Sequence, residues 1–383
     1  MAANRLGVLD GLRGIAILMV VWFHIWQMSW LPAPLPWLQF IPETGFIGVA
    51  IFFFISGFVI CYPFARAQRD DQPAPSWGHF AFRRAVKIVP SYILSIAVVY
   101  AIGFAATQGG AGIPVDILMH IVFLHNWFAA TYGSINGVLW TLAVEVQFYC
   151  LFPLISRFFF RRPFVSTAVM MVIALAFRIR VAHCCTPFYN QLIEQLPAYL
   201  DFFATGMLCA WLYVRWRDTP SDTPRVRTIA TACALAGFAF LVALMQSLFN
   251  VRYEPNGFGG WQVYYRTALA LDCGVIALGS LFAFQTWKNL LANRVLVFCS
   301  VISYNWYIYH QVIARELWWH HLPPWKGRAD LLSAQADHTW ALWFSVAAFL
   351  AGILIATVVT YGFERPILRL KPARWTLRSP ARR

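Results

Sequence analysis

Charge is what this sequence has least of. Only 12% of its 383 residues are Asp, Glu, Lys or Arg, against about 25% in soluble globular proteins. So few charges cannot coat a water-facing surface, which excludes a soluble multidomain protein of a length that would otherwise suit one. Disorder is excluded as well, because disordered chains need low hydrophobicity and 60% of this chain is hydrophobic. Eight cysteines in such a length are too dilute to staple a disulfide scaffold. The sequence also lacks an internal repeat, a low-complexity tract, HExxH or CxxC zinc spacing, a Ser nucleophile elbow and a Gly-rich phosphate loop. The first apolar run carries no small-residue cleavage site of the signal-peptide kind.

What the chain does have is long apolar runs. They cover residues 12–31, 45–64, 88–106, 137–158, 164–182, 196–214, 228–249, 266–285, 295–318 and 340–361, each near the roughly 20 residues that cross a bilayer core. The expected fold is therefore an all-α polytopic membrane protein with about ten transmembrane helices. A 17% aromatic content with 18 Trp suits two membrane interfaces. The segment 115–127 is apolar but too short to cross, and reads as an interfacial or re-entrant helix. Residues 1–370 form one expected membrane domain and 371–383 a short basic tail. The net charge of +14 could point to nucleic acid, but its placement argues otherwise. Counted by alternate loops, about 22 Lys and Arg fall on the side of the N-terminus and about seven on the other, a positive-inside bias that expects both termini in the cytoplasm. The expected location is the cytoplasmic (inner) membrane.

An ionisable side chain inside an apolar span is costly, so each is a functional candidate. In LDGLRGIAILMVVWFH, Arg13 and His24 are eleven residues apart, about 20° from the same helix face and about 16 Å apart along the axis. One elongated ligand could touch both; snorkelling of Arg13 and simple packing of His24 are the structural alternatives. Glu145 in LWTLAVEVQFYCLFPL shares a face with Thr141 and Tyr149, and could equally be a structural partner of Arg13. In SYNWYIYHQ, Ser303, Tyr307 and His310 recur on one face. Ser56 and Gly57 read first as a close-packing pair. The loop 319–339 holds His320, His321, Asp330, Asp337 and His338, in no metal-ligand spacing. Histidines at membrane depth suit a proton-coupled transporter as well as acid–base catalysis.

The order of motifs adds a resemblance. LDGLRGIAILMVVWFH, FFFISGFVI from Phe52, FAFRRAVKIVPSY from Phe80, LWTLAVEVQFY from Leu139, LDFFATGMLCA from Leu200, SYNWYIYH from Ser303 and FERP from Phe363 together resemble the acyltransferase-3 family of integral membrane O-acyltransferases. The chain departs from the family pattern at Thr141, where Ser is usual, at Lys87, where Arg is usual, and at Tyr199, where an Arg two residues before Asp201 is expected. The last departure weakens any role for Asp201. The chain ends soon after FERP, so no appended esterase-like domain is expected and catalysis is expected from the membrane domain.

The resemblance implies transfer of an acyl group, most often acetyl, from cytoplasmic acyl-CoA to a hydroxyl of a carbohydrate or glycolipid. On that reading acyl-CoA is a co-substrate and no cofactor is permanently bound. His24 would be the general base, Arg13, Glu145 and His310 would complete the catalytic set, and Arg13, Arg83, Arg84 and Lys87 would hold CoA. Tyr149, Tyr307 and Ser303 would contact substrate. The rival reading is a transporter or exporter using the same His, Glu and Arg residues as a proton relay; it predicts inverted repeats and broken helices, and the sequence has neither. A non-catalytic membrane scaffold explains the spans but not the costly polar sites.

Overall fold

The computed structural model describes residues 6–103, 110–184, 189–217, 223–325 and 336–369; the basic tail and Asp330 lie outside them. Ten long helices carry the fold: α1 (Gly7–Ser29), α2 (Gly48–Arg69), α3 (Trp77–Ala101), α4 (Trp140–Phe159), α5 (Pro163–Cys184), α6 (Leu200–Trp216), α7 (Pro224–Val251), α8 (Gly257–Phe282), α9 (Arg294–Trp319) and α10 (His338–Val358). Each lies over one of the apolar runs, and no strand occurs among the described residues. Eight of the ten sit in stretches long and apolar enough to cross a membrane. The two that fall short are α6, with 17 residues, and α9, whose middle is diluted by Ser300, Ser303, Asn305 and His310. The segment after α3 forms only a nine-residue helix, Ile113–Ile121, too short to span.

Burial separates a centre from a rim. In the most apolar stretch of α2, 83% of residues are buried, and 61% in α1 and α8, whereas α5, α7 and α10 each bury 28% and so face lipid over most of their surface. Backbones approach closely where side chains vanish. A Cβ on Gly14 would lie 2.3 Å from the Leu296 carbonyl oxygen, so α1 touches α9 backbone to backbone; a Cβ on Gly57 would lie 2.3 Å from the Phe203 carbonyl oxygen, which does the same for α2 and α6.

The contacts also fix the two ends of the bundle. Ser300 at the start of α9 bonds Asp10 at the start of α1, while Glu364, just past α10, bonds Lys87 in the first half of α3. Arg69 at the end of α2 bonds the Val214 carbonyl at the end of α6. The start of α1 and the end of α10 thus share one end, together with Arg66, Arg69, Arg84 and Arg217; this is the basic end. At the opposite end Arg252, after α7, bonds the Glu43 carbonyl and lies 5.4 Å from the Phe23 ring of α1.

α10 does not stop at Val358. It passes into a single π-helical turn, Val359–Glu364, which ends in the FERP stretch. Such turns recur at functional sites because the extra residue re-aims the side chains. Here it directs Thr360 and Glu364 onto the same residue, Asn305 of α9.

Candidate active site

Two polar groupings occupy the middle of the bundle. The first joins α1 to α9. His310 is buried, and its Nδ1 lies 2.6 Å from the Tyr307 carbonyl and 3.2 Å from that of Trp306. Carbonyl oxygens only accept, so this nitrogen carries the hydrogen. In the neutral ring Nε2 is then a lone pair, and it sits 2.9 Å from His24 Nδ1. His24 Nδ1 must therefore donate, and its second neighbour, the Val20 carbonyl at 3.0 Å, is also an acceptor. The contacts leave His24 one neutral tautomer, with its lone pair on Nε2. That nitrogen has no protein partner among the described residues, on a side chain that is only half-buried.

This is the electronic arrangement of a general base. When Nε2 takes a proton the ring becomes a cation whose Nδ1–H already points at His310 Nε2. The second imidazole is placed as the carboxylate is in a Ser-His-Asp triad, on the Nδ1–H of the first. Tyr307 stands beside it, 5.7 Å from the His310 ring, with its hydroxyl 3.3 Å from the Val138 carbonyl of the stretch preceding α4. Ser303, one turn back, donates to the Ser300 carbonyl at 2.8 Å.

The second grouping lies toward the basic end. Glu145 of α4 accepts hydrogen bonds from Ser56 of α2 and from Tyr149 one turn along α4. Neither imidazole nor Arg13 is a hydrogen-bond partner of this carboxylate. Ser56 and Gly57 divide their work: the glycine admits α6, while the serine hydroxyl binds the carboxylate. Arg84 lies 5.8 Å from the Tyr149 ring centroid, and its buried Nε has no partner among the described residues. Lys87 pairs with Glu364 and lies 5.1 Å over Tyr304. Arg13 is half-buried and forms no hydrogen bond or ion pair among the described residues. Arg83 is exposed, one turn from Lys87.

α1 therefore presents an unpartnered guanidinium at one depth and an open imidazole nitrogen at another. Two residues of this region were not singled out from the sequence, Glu364 and Asn305. The first ends the apolar run in FERP and the second lies within SYNWYIYH, so the motifs contained both without indicating what they touch.

A third polar network explains Asp201. The arginine expected near position 199 is replaced in space by Arg178 of α5, which pairs with Asp201 at 2.8 Å; both side chains are fully buried. Thr267 bonds both partners and the Ala198 carbonyl accepts from the guanidinium. The pair ties α5, α6 and α8 together. Of the loop after α9, His320 lies 3.4 Å from Glu316 and Asp337 caps α10 through the Thr339 and Trp340 amides. Among the described residues no group of three His, Cys, Asp or Glu could hold a metal.

The chain as a whole is similar to known proteins. The family model described as an acyltransferase domain, that of acyltransferase-3, matches residues 6–364. A protein of Staphylococcus aureus (strain COL), provisionally named an O-acetyltransferase, is 26% identical over 329 residues, covering 79% of this chain and 49% of its own length. O-acetyltransferase OatA of Staphylococcus aureus (strain NCTC 8325 / PS 47) is 24% identical over 331 residues, covering 80% of this chain and 50% of that protein. The chain thus spans about half the length of the curated relatives it matches. No solved structure matches. With the family model spanning every helix that carries the two polar groupings, the chain belongs to the acyltransferase-3 family of multi-pass membrane acyltransferases.

Proposed function

We propose that this protein transfers an acyl group, in the first place acetyl, from cytoplasmic acyl-CoA to a hydroxyl of a carbohydrate or glycolipid. The carrying observation is the His24–His310 pair, whose contacts leave a single lone pair on His24 Nε2. The O-acetyltransferase names of the relatives support acetyl transfer to oxygen. The positive-inside rule supports a cytoplasmic basic end, where the polyanionic donor would enter.

On this reading the CoA phosphates meet Arg83, Arg84 and Lys87, and the pantetheine arm runs along α1 past Arg13. Guanidinium groups can pair with phosphate or carbonyl oxygens through two parallel N–H bonds. The thioester carbonyl then lies beside His24. His24 Nε2 removes the proton of the acceptor hydroxyl as its oxygen attacks the carbonyl carbon. The tetrahedral intermediate collapses with cleavage of the C–S bond, and the leaving thiolate recovers the proton from the His24 imidazolium. The products are the ester and free CoA thiol. Tyr307 and His310 keep His24 in register throughout.

The test is direct. Purified protein supplied with acetyl-CoA and oligosaccharide acceptors should release CoA thiol and form an ester in equal amounts. A correctly inserted His24→Ala variant should do neither; if it retains full transfer, His24 is not the base. Solute uptake into proteoliposomes without thioester consumption would favour the transporter instead.

A further inference from the structure

The bundle end opposite the basic one holds a carboxylate that the mechanism above does not use. Glu194 lies in the segment between α5 and α6. Its Oε2 accepts from the Tyr132 hydroxyl, and its Oε1 has no partner among the described residues. The side chain is enclosed by protein but not sealed in. The nearby cation, Arg266, is committed elsewhere: it bonds the Ile193 carbonyl at 2.9 Å and Gln262 at 2.5 Å, and stacks 4.5 Å over the Tyr199 ring. The free oxygen is therefore open to a donor from outside the protein.

Its neighbours suit an occupant with hydroxyls. Arg266 ties the Ile193 backbone to Tyr199, which stacks on Trp140 with ring centroids 5.8 Å apart and planes 30° apart, so the carboxylate's own segment is held against packed aromatics. The stretch that carries Tyr132 meets α9 beside His310: Asn136 donates to the Ile308 carbonyl at 2.8 Å and the Tyr307 hydroxyl donates to the Val138 carbonyl at 3.3 Å. Glu194 and Tyr132 are thus tied to the segment that packs on α9 next to His310, the partner of the proposed base.

We infer that Glu194 and Tyr132 form the acceptor-recognition subsite, the free carboxylate oxygen accepting from hydroxyls of a neutral saccharide. This rests on the acyltransferase reading and adds the acceptor class: an anionic sugar, such as a uronate, is repelled by Glu194 and disfavoured. Recognition by a carboxylate requires hydroxyl donors, which a saccharide supplies and a thioester does not.

The experiment uses the full chain in detergent, acetyl-CoA, and a panel of neutral oligosaccharides and their uronic-acid counterparts. Wild-type protein should acylate members of the neutral set with higher kcat/KM. With the best of these, Glu194→Gln should raise the acceptor KM at least tenfold and leave the KM for acetyl-CoA unchanged. Tyr132→Phe should do the same to a smaller degree, and carries the test alone if Glu194→Gln does not insert. Preference for uronates, an unchanged acceptor KM, or equal damage to donor and acceptor KM overturns the subsite. Failure of wild-type protein to acylate any member overturns the saccharide acceptor, and the subsite with it; thiol release without ester would still show that the donor is used.

Discussion

His24 Nδ1 and His310 Nε2 face each other across 2.9 Å, and every other hydrogen-bond neighbour of the two rings is a backbone carbonyl. The two imidazoles are thus not interchangeable. One has a free lone pair and the other has none, so their substitutions should differ in kind.

His24→Ala should lower kcat for acyl transfer by about 10²–10⁴-fold, the usual range for a lost general base. His310→Phe keeps an aromatic volume but removes the acceptor that fixes the tautomer. It should lower kcat by a smaller factor, about 10–100-fold, with little change in the KM for acetyl-CoA. Steady-state assay of thiol release by both variants checks the order.

Arg13→Gln should act on binding instead. An unpartnered guanidinium can be lost without stranding a buried counter-ion, so the variant should insert normally. The KM for acetyl-CoA should rise about tenfold, equivalent to about 1.4 kcal/mol. Arg13→Lys should recover part of this, since it restores charge but not the planar fork.

Asp201→Ala tests the network that closes α5, α6 and α8. With both partners fully buried, removing one leaves an uncompensated charge at a cost of about 3–5 kcal/mol. Thermal unfolding in detergent should show a large drop. The double variant Arg178→Met, Asp201→Leu should regain most of it, because an apolar pair carries no desolvation penalty.

Glu194 carries a pH prediction. Burial pushes its carboxyl up to about 7 from an ordinary 4.5, against the opposing influence of the Tyr132 hydrogen bond and the Arg266 charge. Between pH 4.5 and 7 the folded protein retains a proton that the unfolded chain has given up, so its stability should fall as pH rises through that window. Acceptor affinity should move the other way, because only the ionised carboxylate accepts from hydroxyls with both oxygens. Acceptor KM should fall as pH passes 7, and Glu194→Gln should flatten both curves.

The helices were legible because burial in lipid demands long apolar runs whatever packs against them; each of the ten falls over its run. The face shared by Arg13 and His24 was legible for a similar reason, being fixed by helical rise and rotation alone. Partners were not. That His24 meets His310 rather than Glu145 depends on Gly14 admitting the α9 backbone, and no spacing within either helix contains that distance. Arg178 as partner of Asp201 was hidden in the same way, since the pair spans two helices, and Glu194 lies in a connecting segment without periodicity. Glu364 was visible as a charge ending an apolar run, but its aim at Asn305 comes from a π turn that sequence period does not reveal.

The direct backbone contact at Gly14 has a consequence for how the family can diversify. Because α1 and α9 meet without intervening side chains, the spacing of the two imidazoles is decoupled from the loops that end those helices. Connecting segments such as 30–47 or 189–199 can then vary in length and composition while the two imidazoles keep their spacing. Retargeting this protein should begin in those segments, and substitutions at Gly14 should be fatal to every acceptor alike.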